Sequence, residues 1–163
     1  MRAVSNTSPI SNLASIGRLA LLKSQFSALW IPDAVVAELT AHPDPIAQTA
    51  IQTALRDQWM QIGTPRDSGL LRLLLSQLHR GEAEAIALAT DLKADMVLID
   101  EQEGRQLASK TGLAVTGVLG VLLRAKRGGE IPAVKPEMDL LRSKARFFVS
   151  LALEKRILTA AGE

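Results

Sequence analysis

The 163-residue chain has the length of one domain, because a single hydrophobic core typically serves about 100–200 residues. Its 47% hydrophobic residues can build a sizeable core, and its lack of cysteine excludes disulfides, thiolate metal sites and cysteine nucleophiles. Any metal must therefore be held by oxygen atoms or by His42 and His79. The net charge of +2 hides an asymmetry, since Glu82–Glu103 carries seven acids and one base, whereas Arg124–Arg156 carries nine bases and four acids. The basic block suits a polyanionic partner or is simply a solvated face.

The amino-terminal segment turns polar at once, at Ser5 and Asn6. It lacks the roughly 7–15 apolar residues that a secretory signal needs. No later stretch approaches about 18 uninterrupted apolar residues, the length of a membrane span. We therefore expect a soluble, cytoplasmic protein with no membrane segment.

The first half of the chain alternates short apolar runs with segments of helical periodicity. Turn formers at Asn6-Thr7-Ser8-Pro9 separate the first strand from the first helix. The predicted strands are Arg2–Ser5, Ala28–Ile31 and Trp59–Ile62. The predicted helices cover Ile10–Leu22, a segment that opens at Pro32-Asp33 and contains Leu39, and Ile46–Asp57.

The second half repeats this alternation more clearly. Met96–Ile99 is the strongest strand, because four residues of buried type stop abruptly at Asp100. A shorter strand is predicted at Leu113–Val115. The predicted helices are Leu70–Leu78, Glu82–Leu92, Gln102–Lys110, Gly117–Lys126, Glu137–Lys144 and Ser150–Ala161. The pattern predicts one α/β domain over residues 1–163, with a parallel sheet covered on both faces and a C-terminal helical segment at about 134–163.

Two polar residues follow predicted strands directly, Asn6 and Asp100. Ligands of open parallel sheets bind beyond the carboxyl ends of the strands, and hard divalent cations prefer oxygen ligands on rigid elements. The alternative is that Asp100 caps the next helix, with Glu101 and Glu103 complementing the helix dipole.

Two glutamates strengthen the interpretation as a site. Glu82 begins the helix that leads into the Asp100 strand, and Glu38 lies one turn into the helix after the second strand. Each alone is an ordinary helix residue, but together with Asp100 they would form an acidic cluster. Such a cluster is costly without a cation, because like charges raise one another's pKa. A divalent ion relieves this repulsion and activates water for phosphodiester hydrolysis.

Several segments, in this order, resemble a PIN domain, and more closely its DUF3368 branch. They are Val4–Ile10, Ile31–Leu39, Gly81–Ala89, Leu98–Glu101, Gly117–Lys126 and Ala161–Glu163. The 18 positions from Glu82 to Asp100 fit the family pattern, whereas Glu84 does not.

The resemblance implies a three-layer α/β/α fold with a Mg²⁺- or Mn²⁺-dependent ribonuclease site. Many relatives are toxins that a small antitoxin protein silences, and they are commonly homodimers. By position, Asn6, Glu38, Glu82 and Asp100 would line the acidic pocket, where Asp100, Asn6 and Glu82 would hold the metal and Glu38 would orient or deprotonate the attacking water. Thr7 or Ser8 would hydrogen-bond a metal-bound water or a phosphate, or these residues would only cap the first helix.

Asn6 departs from the Asp that most PIN nucleases carry, and its amide lacks the negative charge that strengthens metal binding. With only five aromatic residues, base stacking is a poor route to RNA binding. RNA contacts would instead come from Arg105, Lys110, Arg124, Lys126 and Arg127. The leading prediction is a toxin-type, metal-dependent endoribonuclease. The alternatives are a catalytically weakened module that binds nucleic acid or a partner protein, and a metal-dependent phosphohydrolase of small phosphoesters.

Overall fold

A computed structural model describes residues 1–163 of the protein. Five short strands form one parallel sheet: β1 (Arg2–Ser5), β2 (Ala28–Pro32), β3 (Met60–Gly63), β4 (Met96–Leu98) and β5 (Val115–Thr116). Their order across the sheet is β3-β2-β1-β4-β5, and every neighbouring pair is parallel. The predicted parallel sheet is therefore confirmed.

Ten helices connect and flank these strands. They are α1 (Thr7–Ser15), α2 (Ala20–Gln25), α3 (Asp33–Thr40), α4 (Pro45–Arg56), α5 (Gly69–Leu75), α6 (Arg80–Asp91), α7 (Gln102–Lys110), α8 (Val118–Arg127), α9 (Lys135–Lys144) and α10 (Leu151–Ala161). The single helix predicted over Ile10–Leu22 is wrong, because the chain turns between α1 and α2 at Gly17, whose φ is +70°. Glycine adopts this left-handed conformation without steric cost.

Apolar side chains are buried on both faces of the sheet. The larger cluster has 28 buried residues, including Ala3 and Leu98, and packs the sheet against α1, α2, α4, α8 and α9. The smaller cluster has 11, including Val4 and Val97, and packs the other face against α6. Neighbouring strand residues thus serve opposite faces, as the alternation of side chains along a strand requires. The result is the three-layer α/β/α architecture that the sequence predicts.

The strand order reverses at β1, which has β2 on one side and β4 on the other. In open α/β sheets, the crevice between carboxyl ends at such a reversal is the usual place for a ligand. Asn6 follows β1 and its backbone N–H donates to Leu98 O at 2.9 Å, which extends the sheet to this crevice. Asp100 and Glu101 follow β4 at the same edge.

The C-terminal segment forms α9 and α10. Helix α9 is part of the larger core through Met138 and Leu141, whereas α10 has no buried residue. Polar contacts attach α10 to α9: Glu154 pairs with Arg142 and Lys135. No helix of the structure combines the length and the apolar character needed to cross a membrane.

Candidate acidic site at the carboxyl edge of the sheet

A cavity of about 460 Å³ lies at the crevice between β1 and β4. None of the residues that line it is hydrophobic. They are Asn6, Thr7, Ser8, Glu38, His79, Arg80, Glu82 and Glu101. Three carboxylates and one amide therefore face a single opening at the position where this sheet topology favours a ligand.

Asn6 is 4% exposed and precedes α1 in extended conformation. Its side chain does not cap the helix, and its Nδ2 instead donates to Glu101 Oε2 at 3.2 Å. Its Oδ1 lies beside Gly81, at 3.0 Å from the position that a Cβ atom would take there. The carbonyl oxygen of this amide therefore faces α6, where it can accept a hydrogen bond or bind a cation.

Glu38 reaches the same cavity from α3. Thr7 Oγ1 donates to Glu38 Oε2 at 2.5 Å, so Thr7 holds this carboxylate in place. Glu38 Oε1 lies only 2.8 Å from the position of a Cβ atom at Gly81. Because Gly81 of α6 has no side chain, Glu38 and Asn6 can lie close to the start of that helix.

Glu82 lies in the first turn of α6 and is 6% exposed. Burial raises the pKa of Glu82 above its usual value, the negative charges of Glu101 and Glu103 raise it further, and a backbone hydrogen bond from His79 opposes the shift. Its Oε1 packs near Gly104 of α7, where an added Cβ atom would lie 2.9 Å away. A bound cation would relieve this repulsion between the desolvated carboxyl group and the neighbouring negative charges.

Asp100, predicted as a direct metal ligand, does not line the acidic cavity. Its Oδ1 accepts a 2.7 Å hydrogen bond from the backbone N–H of Val118, and its Oδ2 accepts one from Asn12 at 3.2 Å. Burial raises the pKa of Asp100 to about 6, although these hydrogen bonds and Arg105 oppose the shift. Asp100 thus caps α8, and the structure brings Asn6, Glu38 and Glu82 together without it.

Glu101 also lines this cavity, although the sequence analysis did not include it among the candidate site residues. Besides accepting from Asn6, it accepts a hydrogen bond at Oε1 from the hydroxyl of Ser8. The available signal was the alternation of side chains in extended chain, because two acids in succession after a strand point in opposite directions. Only one of Asp100 and Glu101 can therefore face the cavity.

Glu84 has a different role from Glu82, as the spacing suggested. It is buried at 7% exposure, and it accepts hydrogen bonds from Arg80 Nε at 2.7 Å and from the backbone N–H of Ala34 at 3.3 Å. Glu84 therefore joins α6 to the start of α3 and holds Arg80, whose side chain is 75% exposed, at the rim of the acidic cavity.

The basic residues predicted to contact RNA separate into two groups. Arg105 and Lys110 line a groove of about 900 Å³ together with Arg156 of α10, which the sequence did not single out. The other three lie outside this groove: Arg124 lies 5.5 Å from the ring centre of Phe26, Lys126 donates to Pro132 O, and Arg127 contacts Ala160 O at 3.5 Å. The structure places only Arg105 and Lys110 in a common groove.

The donors at the acidic cavity fit a hard divalent cation. Carboxylate and amide oxygens suit Mg²⁺ or Mn²⁺, and Mg²⁺ commonly uses one or two carboxylates and several waters. No group of three or more His, Asp or Glu side chains is arranged to hold an ion directly. An ion here would therefore be held by Glu82 and Glu101 together with Asn6 Oδ1, and its other ligands would be water.

Fold and site together define a three-layer α/β protein with an acidic crevice, and sequence comparison gives its family. The DUF3368 family, described as a PIN domain, matches residues 2–163. The protein belongs to this family, as the motifs in its sequence predicted.

Comparison with solved structures supports the fold. A PilT N-terminus domain protein, SSO1118, from the hyperthermophilic archaeon Sulfolobus solfataricus P2 superposes with a TM-score of 0.51 at 19% sequence identity. The match covers 77% of this chain and 93% of the archaeal chain. No curated protein matches the chain significantly. At this identity the likeness extends to the fold alone.

Proposed function

We propose that this protein is a metal-dependent endoribonuclease that hydrolyses RNA phosphodiester bonds. The observation that carries the proposal is the convergence of Glu38, Glu82, Glu101 and the Asn6 amide on one polar cavity at the strand-order reversal. Membership of the PIN family agrees with a nuclease-type fold. Glu101 takes the place that the sequence had suggested for Asp100.

Each side chain has a distinct role in this mechanism. Glu82, Glu101 and Asn6 Oδ1 would hold Mg²⁺ or Mn²⁺, which supplies a bound water of lowered pKa. Glu38 accepts a proton from the attacking water at Oε1, while Thr7 holds Oε2. Arg80, at the rim, faces the negative charge of the phosphodiester and is kept there by Glu84.

Two features of Asn6 favour a second candidate, a PIN module that binds nucleic acid or a partner protein with little or no catalysis. Asn6 contributes no charge to the cavity, and its Nδ2 occupies one oxygen of Glu101. Both features weaken cation binding relative to a site with a carboxylate at this position.

The proposal extends to partners. A toxin-type nuclease would be silenced by a small antitoxin protein, would act as a homodimer and would meet its RNA in the cytoplasm. The groove with Arg105, Lys110 and Arg156 supplies positive charge for RNA.

The test compares Glu82→Gln and Glu101→Gln with Glu103→Gln, which removes the same charge nearby but does not line the cavity. Calorimetric titration with Mn²⁺ and cleavage of a single-stranded RNA with a fluorophore and a quencher are measured for each variant. We expect the first two variants to lose Mn²⁺ binding and to cleave at least about 100-fold more slowly, while Glu103→Gln keeps both properties.

Asp100→Asn tests the assignment of the ligands. Because Asp100 caps α8, this variant should keep Mn²⁺ binding. Loss of binding in Asp100→Asn, with binding retained in Glu101→Gln, would contradict the proposed ligand set. A wild-type protein that binds RNA without cleaving it would establish the binding module instead.

A further inference from the structure

A second polar cavity, of about 490 Å³, lies farther along α1. The first turn of α1 gives Thr7 and Ser8 to the acidic cavity, and later turns give Ser11 and Ser15 to the second one. One face of this helix therefore connects the two cavities. Ser8 and Ser15 are seven residues apart, which corresponds to about 10 Å along a helix axis.

Two cations at the end of α9 face this second cavity. Lys144 and Arg146 are both exposed, and neither forms an ion pair within the chain. The carboxylate that lines the cavity, Asp44, caps α4 by accepting from the backbone N–H of Ile46 at 3.0 Å. The cavity therefore has more positive than negative charge, and its cations have no internal partner.

The backbone at Arg146 is unusual for an arginine. Its φ is +51°, and it follows α9 at the point where Phe147 N donates back to Leu141 O at 3.0 Å. Glycine is the usual residue in this left-handed position after a helix, because a side chain there is sterically disfavoured. The chain thus keeps a long cationic side chain at a position where glycine would be more stable.

The hydroxyl of Ser15 is oriented by His42. The backbone N–H of Asp44 donates to His42 Nδ1 at 3.1 Å, so the neutral ring carries its proton on Nε2. This Nε2 lies 3.2 Å from Ser15 Oγ and donates to it, which leaves the hydroxyl proton of Ser15 free to donate to a ligand. The same tautomer prevents His42 from activating Ser15 as a nucleophile, so the pair serves binding.

We propose that this second cavity, formed by Ser11, Ser15, Lys144 and Arg146, is a binding subsite for a phosphodiester group of single-stranded RNA. Hydroxyl donors and unpaired cations are the groups that bind phosphate oxygens. The inference rests on the proposed action on RNA, since the subsite would hold the strand while another phosphodiester lies at the acidic cavity. A mononucleotide cannot reach both cavities, whereas a strand of several nucleotides can.

The test variant is Arg146→Gly, and its matched control is Lys93→Gly. Lys93 is also an exposed cation with positive φ, +49°, but it precedes β4 at the opposite edge of the sheet. Both substitutions remove one positive charge and one unfavourable backbone conformation, so both should raise the melting temperature. Fluorescence anisotropy in EDTA measures the affinity for a labelled RNA of roughly ten nucleotides, within the usual footprint of single-strand binding modules.

We expect Arg146→Gly to weaken binding of this RNA by about threefold to tenfold and to reduce the slope of log affinity against log salt by about 0.7, the value for one lost contact to a single strand. Lys93→Gly should leave both quantities unchanged. Lys144→Gln, which leaves the backbone alone, should behave like Arg146→Gly in binding.

The outcomes separate this inference from the proposed function. If Arg146→Gly and Lys144→Gln bind the RNA as tightly as Lys93→Gly does, the subsite is refuted while the nuclease proposal stands. An equal loss in Lys93→Gly would also refute it, because it would indicate general electrostatics. If the wild type binds without cleaving and both subsite variants bind more weakly, the subsite stands and hydrolysis fails. A wild type that binds no RNA overturns both.

Discussion

Gly81 offers a substitution that should separate stability from function. In Gly81→Ala the new Cβ atom would lie 2.8 Å from Glu38 Oε1 and 3.0 Å from Asn6 Oδ1, both shorter than ordinary van der Waals contact. The Asn6 side chain is buried, so the Glu38 carboxylate has to give way. The substitution therefore acts on the two oxygen atoms that we assign to the reaction.

The expected energies nearly cancel. Alanine stabilises a helix by about 0.5–1 kcal/mol relative to glycine. Moving Glu38 weakens its hydrogen bond with Thr7, and a typical hydrogen bond contributes about 0.5–1.5 kcal/mol. We therefore expect the free energy of unfolding to change by less than about 1 kcal/mol. Misplacing a reacting group by about 1 Å can slow catalysis about 100-fold, and we expect a loss of this size in RNA cleavage.

Urea denaturation gives the stability of this variant, and the fluorescent RNA assay gives its cleavage rate. Gly69→Ala is the control, because its Cβ atom would meet no heavy atom within 4 Å and it also begins a helix. Full cleavage activity in Gly81→Ala would refute the assignment of this cavity as the reaction site. A loss of several kcal/mol in stability would instead show that Gly81 is needed for packing.

Three further predictions follow from individual contacts. Asn6→Asp should destabilise the metal-free protein by about 1–3 kcal/mol, because it replaces the hydrogen-bond donor to Glu101 with a second carboxylate. Mn²⁺ should restore this stability and should bind the variant more tightly than it binds the wild type. An unchanged Mn²⁺ affinity in calorimetry would contradict this prediction. The folded pKa of Asp100, about 6, is above the ordinary value of 3.8, so the folded state holds this proton more tightly and wild-type stability falls as pH rises through this window. Urea denaturation in EDTA should accordingly show Asp100→Asn gaining stability relative to the wild type from pH 4 to pH 6. A difference in unfolding free energy that does not change with pH would contradict the burial of Asp100. Arg124→Met should keep RNA affinity and change stability by less than about 1 kcal/mol, because removal of the buried Nη1 that has no partner offsets the lost contact with the Phe26 ring. Weakened RNA binding in anisotropy would show that Arg124 contacts RNA.

The order and type of most elements were predictable because local pattern and tertiary packing agree in this chain. Apolar runs such as Ala28–Ile31 form strands, and the Gly and Pro residues between segments mark their ends. The exception is the first helix, in which apolar spacing continues from Ile10 to Leu22 although the backbone turns at Gly17. Both halves pack on the same core, so hydrophobic periodicity alone does not reveal the break.

The site was predictable to the level of strand ends and helix starts. The structure brings the predicted Asn6, Glu38 and Glu82 to one cavity, because parallel strands place their carboxyl ends at one edge. The choice between Asp100 and Glu101 depends on which side chain α8 captures through the backbone N–H of Val118, a contact between residues 18 positions apart. No local pattern specifies such a contact. In the same way, Arg156 joins Arg105 only because α10 folds back toward α7.

Glu84 has a mechanical consequence for the cavity. By binding the start of α3 from within α6, it couples the helix that carries Glu38 to the helix that carries Glu82. This contact between the two helices therefore helps to fix the distance between Glu38 and Glu82 before any ligand binds.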